Sequence, residues 1–291
     1  GFPFFQLDRF LKTLVGDLNK YVAISEEFAV NAEDKTRAGG LMFDRKVARI
    51  ITPGTLIDEK FIDPSEHNFL LAVYLDVPSL QSQLKQHADN DSQSSHQHIL
   101  SSVPQQVGLS WLDLSTRDFF TQLTTTQMLP SAIARIGARE ILVDQNVQDI
   151  IGHELQMLVG HDHRLVTFFQ YPGAFKPVSE WGAMLESPIP EDAHASFTPE
   201  EVAAGYSLLE YIRVQLQGSN LKLQPPIRKH LNESMSIDRN SLSGLEILET
   251  ARDGFGKGSL LHAVRRTCTK SGARLLRDRL SMSNQNFGRC C

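Results

Sequence analysis

Long apolar runs are missing from this chain. No stretch reaches the roughly 18–20 uninterrupted apolar residues that a bilayer-crossing helix needs, which excludes a membrane span of that kind. Cysteine is scarce, with only Cys268, Cys290 and Cys291. Three thiols cannot build a disulfide framework, and their scarcity fits a reducing compartment. Cys290-Cys291 lacks a second ligand pair at zinc spacing, so it reads as a frayed end and not as a metal site. Excess positive charge is also absent: a net charge of -5 excludes a protein whose whole surface binds nucleic acid. No charged-then-apolar leader is visible. The chain opens on Gly1-Phe2-Pro3 without a methionine, and the true N-terminus is expected upstream.

What is present is ordinary core-forming material, with 41% hydrophobic residues in a length of 291 that suits two or three domains. In the first unit, residues 1–62, Leu7, Phe10, Leu11, Leu14 and Leu18 trace one face of a predicted helix. Tyr21 to Ile24 is a β-rich run. Lys46 to Ile51 reads as a second strand, ending in the turn Thr52-Pro53-Gly54-Thr55. The second unit, residues 66–190, begins with a predicted strand over Phe69 to Leu75. Strands at Val107 to Leu112 and at Phe119-Phe120 flank a hairpin in which Asp113, Ser115 and Thr116 bond local backbone. A short helix over Ser131 to Ile136 and a buried strand over Glu140 to Val143 follow. The Ser-, Gln-, Asn- and His-rich stretch 77–104, with His87, His96 and His98, reads as a disordered insertion.

From residue 196 onward the pattern turns helical. Thr198-Pro199-Glu200-Glu201 is a capping box, and Val202, Tyr206, Leu209, Ile212 and Leu216 form a core stripe. Leu221 to Pro226 is an extended link. Between Met235 and Met282 three short helices are expected. Asp238 caps the first, with Leu242, Leu245 and Leu248 on one face. Ser259 caps the second, which carries Leu260, Leu261 and Val264. Thr269 starts the third, where Gly272, Leu276 and Leu280 align and the glycine admits another backbone. From Ser259 to Leu280 the basic residues Arg265, Arg266, Lys270, Arg274, Arg277 and Arg279 face a single acid, Asp278. They form either a solvated face or an arm toward phosphates.

The wording of these stretches resembles the MutS family of DNA mismatch-repair proteins. The phrases are Met235 to Leu248, Gly258 to Val264, Thr269 to Arg277, Gly108 to Thr116, Tyr21 to Glu27, and Arg45 to Thr55. The resemblance covers nearly all of residues 1–283 and implies an α/β and α architecture. Residues 1–62 become the C-terminal part of a mixed α/β mismatch-recognition domain. Residues 66–190 become an RNase H-like connector domain, and 196–283 the beginning of an all-α lever or core domain. Residues 284–291 fall outside it, as expected of a truncated or misread frame. Lys46 to Ile62 and the polar insertion look most like fungal mitochondrial forms, which implies the mitochondrion, with the nucleus as the alternative.

The same resemblance implies a protein that clamps mismatched double-stranded DNA as a dimer. ATP with Mg²⁺ switches it to a sliding state, and downstream repair proteins dock through the connector; no membrane is involved. The family's Phe-x-Glu wedge motif matches no residue here. The DNA-binding candidates are Arg45, Lys46 and Arg49, with exposed charges on a strand edge as the plain alternative. No catalytic, cofactor-binding or metal residue is expected in these 291 residues. Gly256-Lys257-Gly258-Ser259 fails as a phosphate loop: Ala251 stands where a glycine is needed, and Gly258 where Ser or Thr is needed. Two rivals stand beside this reading. One is a pure protein-interaction module. The other is an RNase H-like nuclease using Asp76 and Asp113 with Mg²⁺.

Overall fold

The computed structural model describes residues 4–29, 43–56, 66–82, 104–159, 164–216, 221–230, 237, 239–252 and 256–281. Helix α1 (Leu7–Leu11) continues as a π-helical stretch, Lys12–Asp17. Leu11 is buried and Phe10 exposed on α1, and beyond it the wider π turn rotates the apolar face, so Val15 is buried while the expected Leu18 is exposed. Strands β1 (Val22–Ala29) and β2 (Phe43–Ile51) form a two-stranded antiparallel ribbon with a bulge between Ile24 and Ser25. Leu11, Val15, Ile24, Ile51 and Leu56 make its small core.

Phe69 to Leu75 is apolar at nearly every position, as suits a strand covered on both faces. It forms β3 (Phe69–Leu75) at the centre of a six-stranded sheet. Next come β4 (Gln106–Asp113), β5 (Phe119–Thr125), α2 (Leu129–Ile136), β6 (Glu140–Asp144), α3 (Gln148–Val159), β7 (Leu165–Phe169), α4 (Pro199–Leu216) and β8 (Ile227–Lys229). The sheet order is β7-β6-β3-β4-β5-β8. The pairs β3/β4 and β4/β5 are antiparallel. The helical crossovers α2 and α3 make β6 and β7 parallel to β3. Phe69, Leu71, Val73 and Leu75 pack toward α2 and α3, and Leu70 and Ala72 toward α4, which gives three layers.

The capping box at Thr198 forms: Glu201 N–H donates to Thr198 Oγ1, and Thr198 N–H to the Glu201 carboxylate. Burial on α4 is broader than the expected stripe. Of that stripe Leu209 and Ile212 are buried and Val202, Tyr206 and Leu216 partly so, while Ala203, Ala204, Leu208 and Tyr211 are buried as well, because the helix lies along the sheet face. The link after Leu221 ends in β8, an edge strand beside β5. Not all of stretch 77–104 is irregular: residues 77–82 are helical and Leu80 is fully buried, while His87, His96 and His98 lie outside the described residues.

Three short helices follow, α5 (Arg239–Gly244), α6 (Leu260–Val264) and α7 (Lys270–Ser281). Asp238 lies outside the described residues. Helix α5 stops at Gly244 because Glu246 takes a positive φ of 50°. Leu245 is therefore exposed, and Ile247 takes the buried place. Ser259 caps α6 as expected, accepting from His262 N–H. Thr269 Oγ1 likewise accepts from Gly272 N–H. Among the described residues the atoms nearest to a Cβ at Gly272 are side-chain atoms of Thr269 and Thr267, not a second backbone.

Candidate nucleic-acid interface and its junction with the sheet

The ribbon β1/β2 carries all three basic candidates, and its register separates them. Arg45 lies opposite Glu27, Lys46 opposite Glu26 and Arg49 opposite Ile24. Strand alternation sends Arg45 and Lys46 to opposite faces. Arg45 Nη2 sits 2.6 Å from Glu27 Oε1, with both side chains exposed. Arg49 pairs with Ile24 of the ribbon's core and buries its Nε without a hydrogen-bond partner among the described residues. Opposite charges therefore face each other across the ribbon at two successive positions.

The denser construction lies where the ribbon meets the sheet. The turn after β2 is buried from Thr52 to Leu56. It seats on Glu140, the first residue of β6, which is fully buried. Glu140 Oε2 accepts from Thr52 Oγ1 and from Gly54 N–H (2.9 Å). Its Oε1 accepts from Thr167 Oγ1 on β7 and Tyr211 OH on α4, both at 2.7 Å. Tyr21 OH, just ahead of β1, donates in turn to Thr167 Oγ1 (2.6 Å). The carboxylate is thus saturated by neutral donors from three regions of the chain, which is what a buried charge without a cation requires. Burial, with the Glu140 charge second, pushes the Tyr211 phenol far above its ordinary value, so it stays a donor. Gly54 permits the seating, since a Cβ there would stand 2.8 Å from Glu140 Cβ and Leu70 Cδ1.

A second junction gathers around Asp113, the last residue of β4. Its Oδ1 accepts from Ser115 N–H and Oγ, the turn role expected of it. Its Oδ2 accepts from Asn68 N–H at 3.0 Å, and His67 Nδ1 stands 3.6 Å away, an ion-pair distance. His67 Nε2 reaches Asp278 on α7 at 3.2 Å. Glu66 joins Arg139 (3.2 Å) to Arg277 on α7 (3.0 Å). Burial alone would lower the His67 pKa, but Asp113 and Asp278 hold its proton and raise it to about 9. Burial would likewise raise Asp113, yet His67, Ser115 and Asn68 together lower it to about 2.

Asp76 and Asp113 do not meet. Asp113 pairs with Phe69 at one end of β3 and Asp76 follows Leu75 at the other, roughly 20 Å away at the usual rise per residue. Among the described residues no group of three potential metal ligands converges. The loop Gly256–Ser259 does not fit a nucleotide phosphate. No strand delivers it among the described residues, and Ser259 is engaged with Gly256 O and His262 N–H. The sequence alone does not single out Glu140, His67 or Glu66 as site residues. The one available signal for Glu140 was a carboxylate opening a strand that reads as buried. None marked residues 66 and 67.

The sequence matches the family described as MutS domain I over residues 1–60, and MutS domain II over residues 97–180. It is similar to proteins named DNA mismatch repair protein MutS from several bacteria. The relative from Wolbachia pipientis is 28% identical over 287 residues, 97% of this chain and 30% of the relative. The Cereibacter sphaeroides protein is 30% identical over 300 residues, 99% of this chain and 29% of its own length. The Anaplasma phagocytophilum protein is 27% identical over 288 residues, 97% of this chain and 31% of the relative. The chain therefore spans about three-tenths of the curated relatives it matches.

Proposed function

The chain belongs to the MutS family, and we propose that it works in mismatch repair as a coupling piece. It passes the state of a mispaired duplex from domain I into the sheet of domain II and on to the helices that follow. The observation that carries this reading is the Glu140 junction, where domain I's turn is held by a saturated, buried carboxylate. Such a contact is made or lost as a unit, which is what transmission between domains requires.

In the whole protein the partner is mismatched double-stranded DNA, clamped by a dimer of MutS-type chains, with downstream repair proteins docking on domain II. ATP and Mg²⁺ act on parts of the protein other than these 291 residues, and α5 to α7 open its lever. Arg45, Lys46 and Arg49 are the phosphate contacts within the chain, with small individual effects because acids stand beside two of them. The mitochondrion is the compartment, with the nucleus as the alternative.

The test is a segment exchange. Residues 1–281 replace the matching segment of the Cereibacter sphaeroides relative, and binding to duplexes with and without a G·T mispair is compared. A soluble chimera that prefers the mispair at least about tenfold supports the proposal; a soluble chimera with no preference contradicts it. The isolated chain is expected to turn over no ATP. Turnover that Lys257→Ala abolishes would contradict that expectation.

A further inference from the structure

Helix α7 is attached in an unusual way. Its buried residues are Ala273 and Ser281, and Leu275 is exposed. Charge joins it to the sheet unit at two neighbouring positions. Arg277 meets Glu66 and Asp278 meets His67, so a plus-minus pair on the helix faces a minus-plus pair on the segment before β3. Each of those two residues also grips the sheet unit, Glu66 through Arg139 and His67 through Asp113. Asp278 lies in the last turn of α7, where the helix dipole disfavours a carboxylate. Its place there depends on the imidazolium opposite.

Residues 66–68 also form the road between the two N-terminal units. Asn68 Nδ2 donates to Leu56 O, at the end of the turn that follows β2, while Asn68 N–H donates to Asp113. The segment that ties the ribbon to β3 is therefore the segment that α7 grips.

We propose that Glu66 and His67 form a releasable clasp: α7 docks and undocks as a unit, and its state is coupled through Asn68 to the turn that follows β2. The coupling's part in repair rests on the reading above, whereas the clasp itself is a property of the chain alone. An element held by few apolar contacts and several ion pairs opens at low cost and cooperatively. His67 is the member of the clasp that loses its charge when the solution turns alkaline. The charged groups around it are Asp113 from β4, Asp278 and Arg277 from α7, Arg139 from the residue before β6, and Glu66 beside it. Loss of the imidazolium proton leaves Asp113 and Asp278 without their shared cation.

The experiment is hydrogen exchange on the full chain, reading amides of α7, of residues 54–56 and of β3/β6 separately. At pH 6.5 the variants Glu66→Gln, Arg277→Gln and Asp278→Asn are each expected to speed α7 exchange about tenfold. Residues 54–56 should quicken with it, while β3/β6 stays unchanged. The double variant Glu66→Gln/Arg277→Gln should be no faster than about either single one, since the two residues act together. Raising the pH from 6.5 to 9.5 should increase the opening of α7 in the parent chain, after correction for intrinsic exchange. In Asp278→Asn, whose site is half exposed, that increase should be small. Unchanged α7 exchange in the single variants, multiplying effects in the double, or a quickening confined to α7 would each overturn the proposal.

Discussion

At the scale of single residues, Glu140 does more than any basic side chain on the ribbon. Four donors converge on it, so removing it takes the shared acceptor from Thr52 Oγ1, Gly54 N–H, Thr167 Oγ1 and Tyr211 OH together. Glu140→Ala is expected to lower stability by about 3 kcal/mol, at the upper end for hydrogen bonds to a buried charge. Glu140→Gln should lose less, since its amide oxygen still serves one pair of donors while its nitrogen faces the other. Urea unfolding followed by circular dichroism measures both. Gly54→Ala is expected to cost about 2 kcal/mol through overpacking, because its methyl would stand 2.8 Å from Glu140 Cβ and Leu70 Cδ1. Neither effect is visible in the sequence, where Thr52-Pro53-Gly54-Thr55 reads as a turn. Turn chemistry is local, but whether a turn faces solvent or a strand 86 residues away is a tertiary fact.

At the scale of elements, the features written in short-range chemistry were legible. The capping box at Thr198, the Ser259 cap and the Asp113 hairpin all depend on residues within three of each other. Thr198→Ala should therefore destabilise α4 by about 1 kcal/mol, the usual cost of losing an N-cap, read as a lower urea midpoint. The unbroken apolar run from Phe69 to Leu75, which marks a strand covered on both faces, was equally local. What eluded the sequence came from the rest of the fold. The π-helical stretch after α1 moved burial from Leu18 to Val15. The positive φ at Glu246 ended α5 before Leu245. Ile227 to Lys229 became a strand only because the edge of β5 was open to it. Of the ribbon's charges, the types were readable but their pairing was not. The bulge between Ile24 and Ser25 decides which side chains share a face.

At the scale of the whole molecule, the two junctions set how stability responds to pH and tie the ribbon, the sheet and helix α7 together. His67 has a folded pKa near 9 against an ordinary 6.5, so its contribution is complete below 6.5 and is lost as pH rises toward 9. Asp113 has a folded pKa near 2 against 3.8, so its contribution is present above 3.8 and is lost as pH falls toward 2. For these two groups the urea midpoint should be highest between about pH 4 and 6.5. His67→Gln should flatten the alkaline limb and shrink the acid one. A midpoint still falling between pH 7 and 9 in that variant would assign the alkaline loss to another group. The turn on Glu140 and the ion pairs of α7 with residues 66 and 67 both lie between the ribbon and the C-terminal helices, and the proposed coupling rests on that placement.

The most direct measurement is the spontaneous mutation rate of a bacterium lacking MutS and supplied with the chimera, with and without Glu140→Ala at equal soluble protein. If Glu140 is the coupling contact, the parent chimera suppresses mutation, whereas the Glu140→Ala chimera still binds a G·T duplex within about threefold yet suppresses little. Equal suppression by the two chimeras would contradict it.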